Sequence, residues 1–307
     1  MVTTRKIRCR YGVTLLIAAL SVSFDLFAQE EEKTWSIMPL LGVHGPQLSG
    51  LNNHEFKAPL PVTGSLVLQS EGSSFDVNFV VENELPKIEV GTEAGVEFNM
   101  RLDEKNIILL GASVWEGVAT SVLETTLPFQ GELSDVAYER SANISYMQYF
   151  LGWKRILIDR PKKYRIFSRV SLNEVFDVDL RERIVFAFQS GPAASFKRIV
   201  DMKSQATGVL MLQLGAGGEY FIRDWVSIGM NAGYTFGFRK IFLNNASLDT
   251  DFRDQDNLSL TLPQQLNSSN NIAYLAQYNP STGSALYKEL KLGFDGWRML
   301  FHINIYY

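Results

Sequence analysis

The chain has 307 residues, 46% apolar and 20% charged, with a formal charge of −4 and a mean hydropathy of −0.02. That balance excludes a disordered chain, which needs low hydrophobicity and high net charge, and a polytopic helical membrane protein, which needs repeated apolar runs of about 20 residues. The length suits one large β domain or two small domains of roughly 100–200 residues each.

In chain order, Arg5, Lys6, Arg8 and Arg10 precede an uncharged stretch from Tyr11 to Phe24, and small or apolar residues follow as far as Ala28. Basic region, apolar region and small-residue site are the order of a secretory signal peptide, so residues 1–28 are expected to be removed after Ala28, although Leu26 is larger than such sites prefer. The alternative is a buried N-terminal helix. Removal takes away four positive charges and Asp25, moving the formal charge from −4 to −7. A mature chain this acidic, with no basic stripe, offers no case for binding nucleic acid. Cys9 is the only cysteine and leaves with the signal peptide, so residues 29–307 are expected to carry no disulfide, thiolate metal site or cysteine nucleophile. No later apolar stretch reaches transmembrane length, so entry into a membrane would require strands closed on one another.

Pro61–Gln69 and Phe75–Asn83 form either a short hairpin of the main sheet or part of a folded loop. From Val90 to Leu102 the even positions Val90, Ala94, Val96, Phe98, Met100 and Leu102 oppose Glu89, Glu93, Glu97, Asn99 and Arg101. Such alternation places the two sets on opposite faces of a strand. After the polar turn 103–106, Ile108, Leu110, Ala112 and Val114 oppose Gly111, Ser113 and Trp115. Ser141–Arg155 and Lys163–Asp177 form a hairpin around Asp159–Lys162; its second strand opposes Tyr164, Ile166, Val170 and Leu172 to Arg165, Arg169, Ser171 and Asn173.

Residues 209–238 hold two long strands around Arg223–Trp225. One face carries Leu210, Leu212, Leu214, Tyr220, Ile222, Val226, Ile228, Met230, Tyr234 and Phe236; the other carries Gln213, Glu219, Ser227, Asn231, Thr235 and a row of glycines. Asn271–Tyr278 and Ser284–Phe294 are expected as two further strands, and Phe294-Asp295-Gly296-Trp297 reads as a tight hairpin that pairs Phe294 with Trp297 on the apolar face. In the last segment Trp297, Met299, Phe301, Ile303, Ile305 and Tyr307 oppose Arg298, His302 and Asn304.

That final segment resembles the C-terminal strand of Gram-negative outer-membrane β-barrel proteins, which ends in an aromatic residue preceded by apolar residues at alternate positions. The resemblance covers about eleven residues closely. It implies an all-β, closed antiparallel transmembrane barrel of 12 strands (alternatively 10) over residues 29–307, porin-like in pattern. It also implies contact with outer-membrane lipid and lipopolysaccharide, and handling by the barrel-assembly machinery. With both termini in the periplasm, the turns near Arg223–Trp225 and Asp159–Lys162 fall in the periplasm, and Val118–Glu139, Asp179–Gln205 and Arg239–Asn270 become long extracellular loops.

Chemical motifs are sparse. Gly215–Tyr220 lacks the last glycine of a dinucleotide fingerprint, and Gly111–Trp115 lacks the last glycine of a nucleophile elbow. The three histidines are His44, His54 and His302. His302 would serve a lipid-modifying hydrolase only from the lipid face with a serine beside it, whereas parity puts it inside, next to Asn304. Parity collects Glu93, Glu97, Arg101, Arg165, Arg169, Glu219, Glu289, Lys291, Arg298 and His302 on the inner face, either as a charged constriction or as a network of pairs. Asp249, Asp251, Asp254 and Asp256 lack the glycine and glutamate spacing of a calcium loop. The expectation is a narrow channel or a structural barrel with partner-binding loops, without enzymatic activity, cofactor or metal; the alternatives are an outer-membrane lipid hydrolase and a soluble secreted β-sandwich.

Overall fold

The computed structural model describes residues 34–307 apart from 69–72, 130–131, 192–193, 195–196, 207, 253–258, 261–263, 268 and 270. The expected signal peptide, Cys9, Asp254 and Asp256 lie outside the described residues. Among the described residues eighteen strands follow in order: β1 (Trp35–Pro46), β2 (Leu60–Leu68), β3 (Ser73–Val81), β4 (Gly91–Arg101), β5 (Asn106–Phe129), β6 (Glu132–Arg160), β7 (Tyr164–Phe188), β8 (Lys197–Ala206), β9 (Val209–Arg223), β10 (Val226–Gly237), β11 (Ile241–Phe242), β12 (Asn244–Phe252), β13 (Ser259–Leu260), β14 (Gln264–Leu266), β15 (Ile272–Asn279), β16 (Ser284–Glu289), β17 (Lys291–Leu292) and β18 (Gly296–Tyr306). A short helix α1 (Ser49–Asn53) and a 3-10 turn (Glu55–Lys57) follow β1.

Ten strands share the main sheet in the order β12-β8-β7-β6-β5-β4-β1-β18-β10-β9, and β7 also pairs with β9. Leaving aside β12 and β8, the other eight of these ten pair in a ring. The ring corrects the expectation of a closed barrel of twelve or ten strands in three ways. Among the described residues, the β2–β3 hairpin has its ladder with β13, and β15 and β16 have theirs with β14 and each other, none of them in the main sheet. The lower half of β7 pairs with β9 through Val175, while the upper half, from Val178, turns away to pair with β8. The split coincides with Asp177 at φ 51 and with a register shift in the β6–β7 ladder between Ser145 and Met147. Finally, the β1–β18 ladder lapses at Met38 and Pro39, where proline has no N–H to donate.

The stretches expected as extracellular loops are largely strand. Val118–Glu139 is the upper half of the β5–β6 hairpin, which pairs continuously from Asn106↔Arg155 to Phe129↔Glu132. Asp179–Gln205 comprises the upper part of β7 and most of β8. β5, β6, β7, β8 and β12 therefore rise beyond the ring as a curved sheet at one end, the loop end. The opposite end is made of tight turns after β4, β6 and β9, beside the paired residues Trp35 and Tyr307.

At the loop end a single apolar cluster closes over the ring. Leu48 just before α1, Leu51 of α1, Phe56, Leu85, Ile88, Ile241, Leu243, Leu290, Leu292 and Phe294 pack on Trp115, Ile144, Tyr146, Val175 and Met211 of the ring and its extension. Phe294 is thus buried against the Tyr146 ring, at 5.3 Å between centroids, and does not pair outside with Trp297 as the hairpin signal predicted. The chain beneath this cap is held by reciprocal bonds: Asn52 Nδ2 donates to the Ile88 carbonyl (3.0 Å), and Ile88 N–H donates to Asn52 Oδ1 (2.9 Å).

Arg140 fixes the same segment to the extended sheet. Its guanidinium pairs with Glu55 at 2.7 Å and Glu182 at 2.5 Å, and donates to the Ala58 carbonyl at 3.2 Å. Removing the cation from a buried group of this kind strands the carboxylates. Arg140→Met is expected to loosen residues 49–58 while the ring stays folded, seen as faster limited proteolysis at that segment with unchanged heat-modifiable gel migration.

Candidate interior site

Apart from register shifts in the β6–β7 and β9–β10 ladders, the strands of the ring alternate inward and outward side chains, so the inner ones meet in the bore. Because those side chains are buried, each charged group there needs a partner. The pairs form three tiers.

Nearest the loop end, Arg298 on β18 lies against Glu93 on β4: Nε donates to Glu93 Oε2 at 2.7 Å, and Nη2 bonds the other carboxylate oxygen. Glu93 also accepts from Ser113 (2.5 Å) and Gln148 (2.8 Å), and Arg298 Nη1 donates to Gln213 Oε1 (2.7 Å). Above this tier the His44 ring lies 2.5 Å from the Tyr146 hydroxyl and 3.1 Å from Thr235 Oγ1, and Trp115 Nε1 donates to the His44 carbonyl. In the middle tier Glu97 bonds Lys154 Nζ and accepts from Arg169 Nη1 at 2.6 Å. Phe150 is shared between the Arg169 and Arg298 guanidinium groups, at 5.2 and 5.6 Å from its ring centroid. Nearest the turns, Glu219 accepts from Arg165 (2.9 Å), the Tyr306 hydroxyl (2.6 Å), Ser227 (2.9 Å) and Asn304 (3.2 Å), while Arg165 also reaches Asp159 at 3.2 Å.

Glycine on β9 and β10 leaves room for this. A Cβ at Gly229 would lie 2.5 Å from His302 Nε2, and one at Gly217 would lie 2.7 Å from the Phe167 ring. Substitution at either position would push an inner side chain out of place.

No protein-family model matches the chain, and no curated protein sequence matches it. Among solved structures, the outer membrane protease OmpT from Escherichia coli aligns with a TM-score of 0.37 at 12% identity over 93% of this chain and 100% of its own. The CymD monoaromatic hydrocarbon channel aligns at 0.27 with 11% identity, over 91% and 90% of the two chains. The P. putida toluene transporter TodX aligns at 0.26 with 11% identity, over 89% of each. TM-scores this low carry no argument about this chain.

Of the inner-face residues named from parity, Glu93, Glu97, Arg165, Arg169, Glu219, Arg298 and His302 are buried inside the ring. Arg101 instead caps the β4–β5 turn, donating to the Asp103 carbonyl at 3.1 Å. Glu289 and Lys291 sit on β16 and β17, outside the ring; both are exposed, and Lys291 lies over the Phe242 ring. Parity failed for these two because the strands that carry them never joined the sheet. Lys154, Gln148 and His44 were missed. On β6 the inner set includes Tyr146, Phe150 and Ile156 and the outer set includes Tyr149, Leu151 and Trp153, so both faces look apolar and the alternation is hidden. Asp249 and Asp251 lie on β12, and no metal-binding group of His, Cys, Asp or Glu occurs among the described residues.

At the turn end, Asp103 accepts from the Asn106 side chain and from the backbone N–H of Lys105 and Asn106, which holds its carboxyl below the usual carboxylate range. A depressed folded pKa contributes stability that is present above the ordinary aspartate value, near pH 4, and is lost as pH falls through the lower folded value. Asp103→Asn is expected to flatten that acid limb in a pH series of unfolding midpoints. For the bore, Arg298→Met strands Glu93 and is expected to cost about 3–5 kcal/mol, whereas Arg298→Met with Glu93→Gln should recover much of the loss in urea unfolding.

Proposed function

We propose that the chain is an outer-membrane protein that spans with its eight-stranded ring, keeps the turn end and Tyr307 in the periplasm, and presents the loop-end sheet outside the cell as an interaction surface. Its bore is filled, so the role is structural or adhesive, with no channel and no catalysis. One observation carries the reading. On the ring's outside Leu41, Phe98, Leu110, Val114, Leu151, Leu172, Leu214, Ile228, Phe301 and Ile303 are each more than 40% exposed, while inside Glu93, Glu97 and Glu219 are at most 6% exposed. A soluble sandwich would bury the first set and expose the second.

Two aromatic groups border this belt: Trp35, Tyr164, Tyr220 and Trp225 at the turn end, and Trp297, Phe236 and Phe238 at the loop end, all exposed. Paired girdles of this kind mark the two interfaces of a bilayer. Strands β4, β10 and β18 have 11, 12 and 11 residues, close to the roughly 9–11 that a tilted strand needs to cross. The belt supports contact with lipid, the loop-end rim supports contact with lipopolysaccharide, and the apolar final strand supports handling by the barrel-assembly machinery. Against a lipid hydrolase, His302 is inside the ring, and no serine among the described residues bonds to it.

Residues 29–307, refolded in detergent and moved into planar bilayers, are expected to show heat-modifiable migration and no steady conductance; regular ion-selective steps would overturn the filled-bore reading. Phe301→Arg is expected to cost about 2–4 kcal/mol in lipid, and Val122→Arg, on the β5 extension, close to nothing. Equal effects of the two substitutions would sink the membrane placement.

A further inference from the structure

The middle tier is the one level of the bore where buried positive charge is in excess. Arg298 and Glu93 cancel nearest the loop end, and Arg165 answers Glu219 and Asp159 nearest the turns. Between them a single carboxylate, Glu97, faces two cations, Lys154 and Arg169, and all three side chains are at most 4% exposed. Glu97 is shared between the two cations, and the next carboxylates, Glu93 and Glu219, are paired with Arg298 and Arg165; a buried cation that only shares a counter-charge is costly.

The donors there point the same way. Lys154 Nζ is fully used by Glu97, Asn99 and the Met38 sulfur. Arg169 spends only Nη1, on Glu97; its Nε and Nη2 have no protein partner, nor do Asn99 Nδ2, Asn231 Nδ2 and both ring nitrogens of His302. Arg169, Asn99, Asn231 and His302 are each at most 4% exposed. His302 and Asn231 lie beside the Phe167 ring, two residues before Arg169 on β7. The Phe167 ring lies 5.1 Å from Lys154 Nζ and 6.5 Å from the His302 ring, and over Gly217 its edge converges with the Asn231 Cβ, at 2.7 and 2.8 Å from where a glycine Cβ would stand. Water would satisfy free N–H groups but would leave the extra charge unanswered. An anion does both.

We propose that the bore holds a small inorganic anion of the halide class at the free edge of Arg169, with Asn231 and His302 as further donors. The ion completes the middle tier and stabilises the ring, so its effect is on folding and does not depend on conductance; failure of this proposal and failure of the filled-bore reading are therefore separable.

The test uses the refolded chain in detergent at fixed pH and ionic strength, with sodium gluconate replaced stepwise by sodium chloride or bromide. The thermal midpoint is expected to rise saturably with either halide, and crystals grown in bromide should show an anomalous peak beside Arg169. Asn231→Asp supplies a tethered carboxylate, and its midpoint is expected to be independent of halide. Equal midpoints in bromide and gluconate, with no anomalous peak, would overturn the proposal in favour of water. A halide response that persists unchanged in Asn231→Asp would overturn it too, by placing the ion elsewhere. If that variant does not fold, the wild-type midpoints and the anomalous map decide.

Discussion

A ring of strands with an apolar outside and a dry inside can carry charge only if each inner charge finds its opposite across the bore. That constraint organises the molecule. Glu93 on β4 reaches Arg298 on β18, Glu97 on β4 reaches Arg169 on β7 and Lys154 on β6, and Glu219 on β9 reaches Arg165 on β7. The β4–β7 and β4–β6 bonds join strands that share no ladder, so they set the ring's cross-section in a way backbone pairing does not. Buried pairs of this kind add little net stability over an apolar filling of the same shape. Here they let the inner face stay polar while its side chains are buried.

The loop end solves a different problem. Where β7 leaves β9 at Asp177, the ring gives way to a sheet whose inner side would expose Ile144, Val178 and Leu180. Residues 48–58, 85–88 and 241–243 and the turn before β18 fold onto that side and bury it. One fold thus has two kinds of interior: a polar bore within the ring and an apolar core above it. The boundary falls near Trp115 and Tyr146, whose rings stack at 5.0 Å while Tyr146 meets His44.

The local strand pattern was legible in the sequence wherever one face was polar and the other apolar. β18, β4, β9 and β10 show that division, and the inner and outer sides of each match their parity. β6 does not, because its inner residues serve the bore through Gln148 and Lys154 but the apolar core through Tyr146 and Ile144, so no single alternation describes the strand. The hairpins at residues 60–81 and 272–289 were visible as strands, yet a strand pattern contains no statement of which edge the strand will join.

By itself the sequence determined the alternation, the tight turns at 103–106, 159–162 and 223–225, and the apolar final strand, because these depend only on neighbours along the chain. Only the tertiary structure decided that eight strands form the ring, that expected loops continue as a projecting sheet, that Phe294 turns inward, and that Lys154 completes the middle tier. Each of those depends on which distant residues come together, through the split of β7 and the ion pairs that span the bore, and spacing along the chain does not encode it.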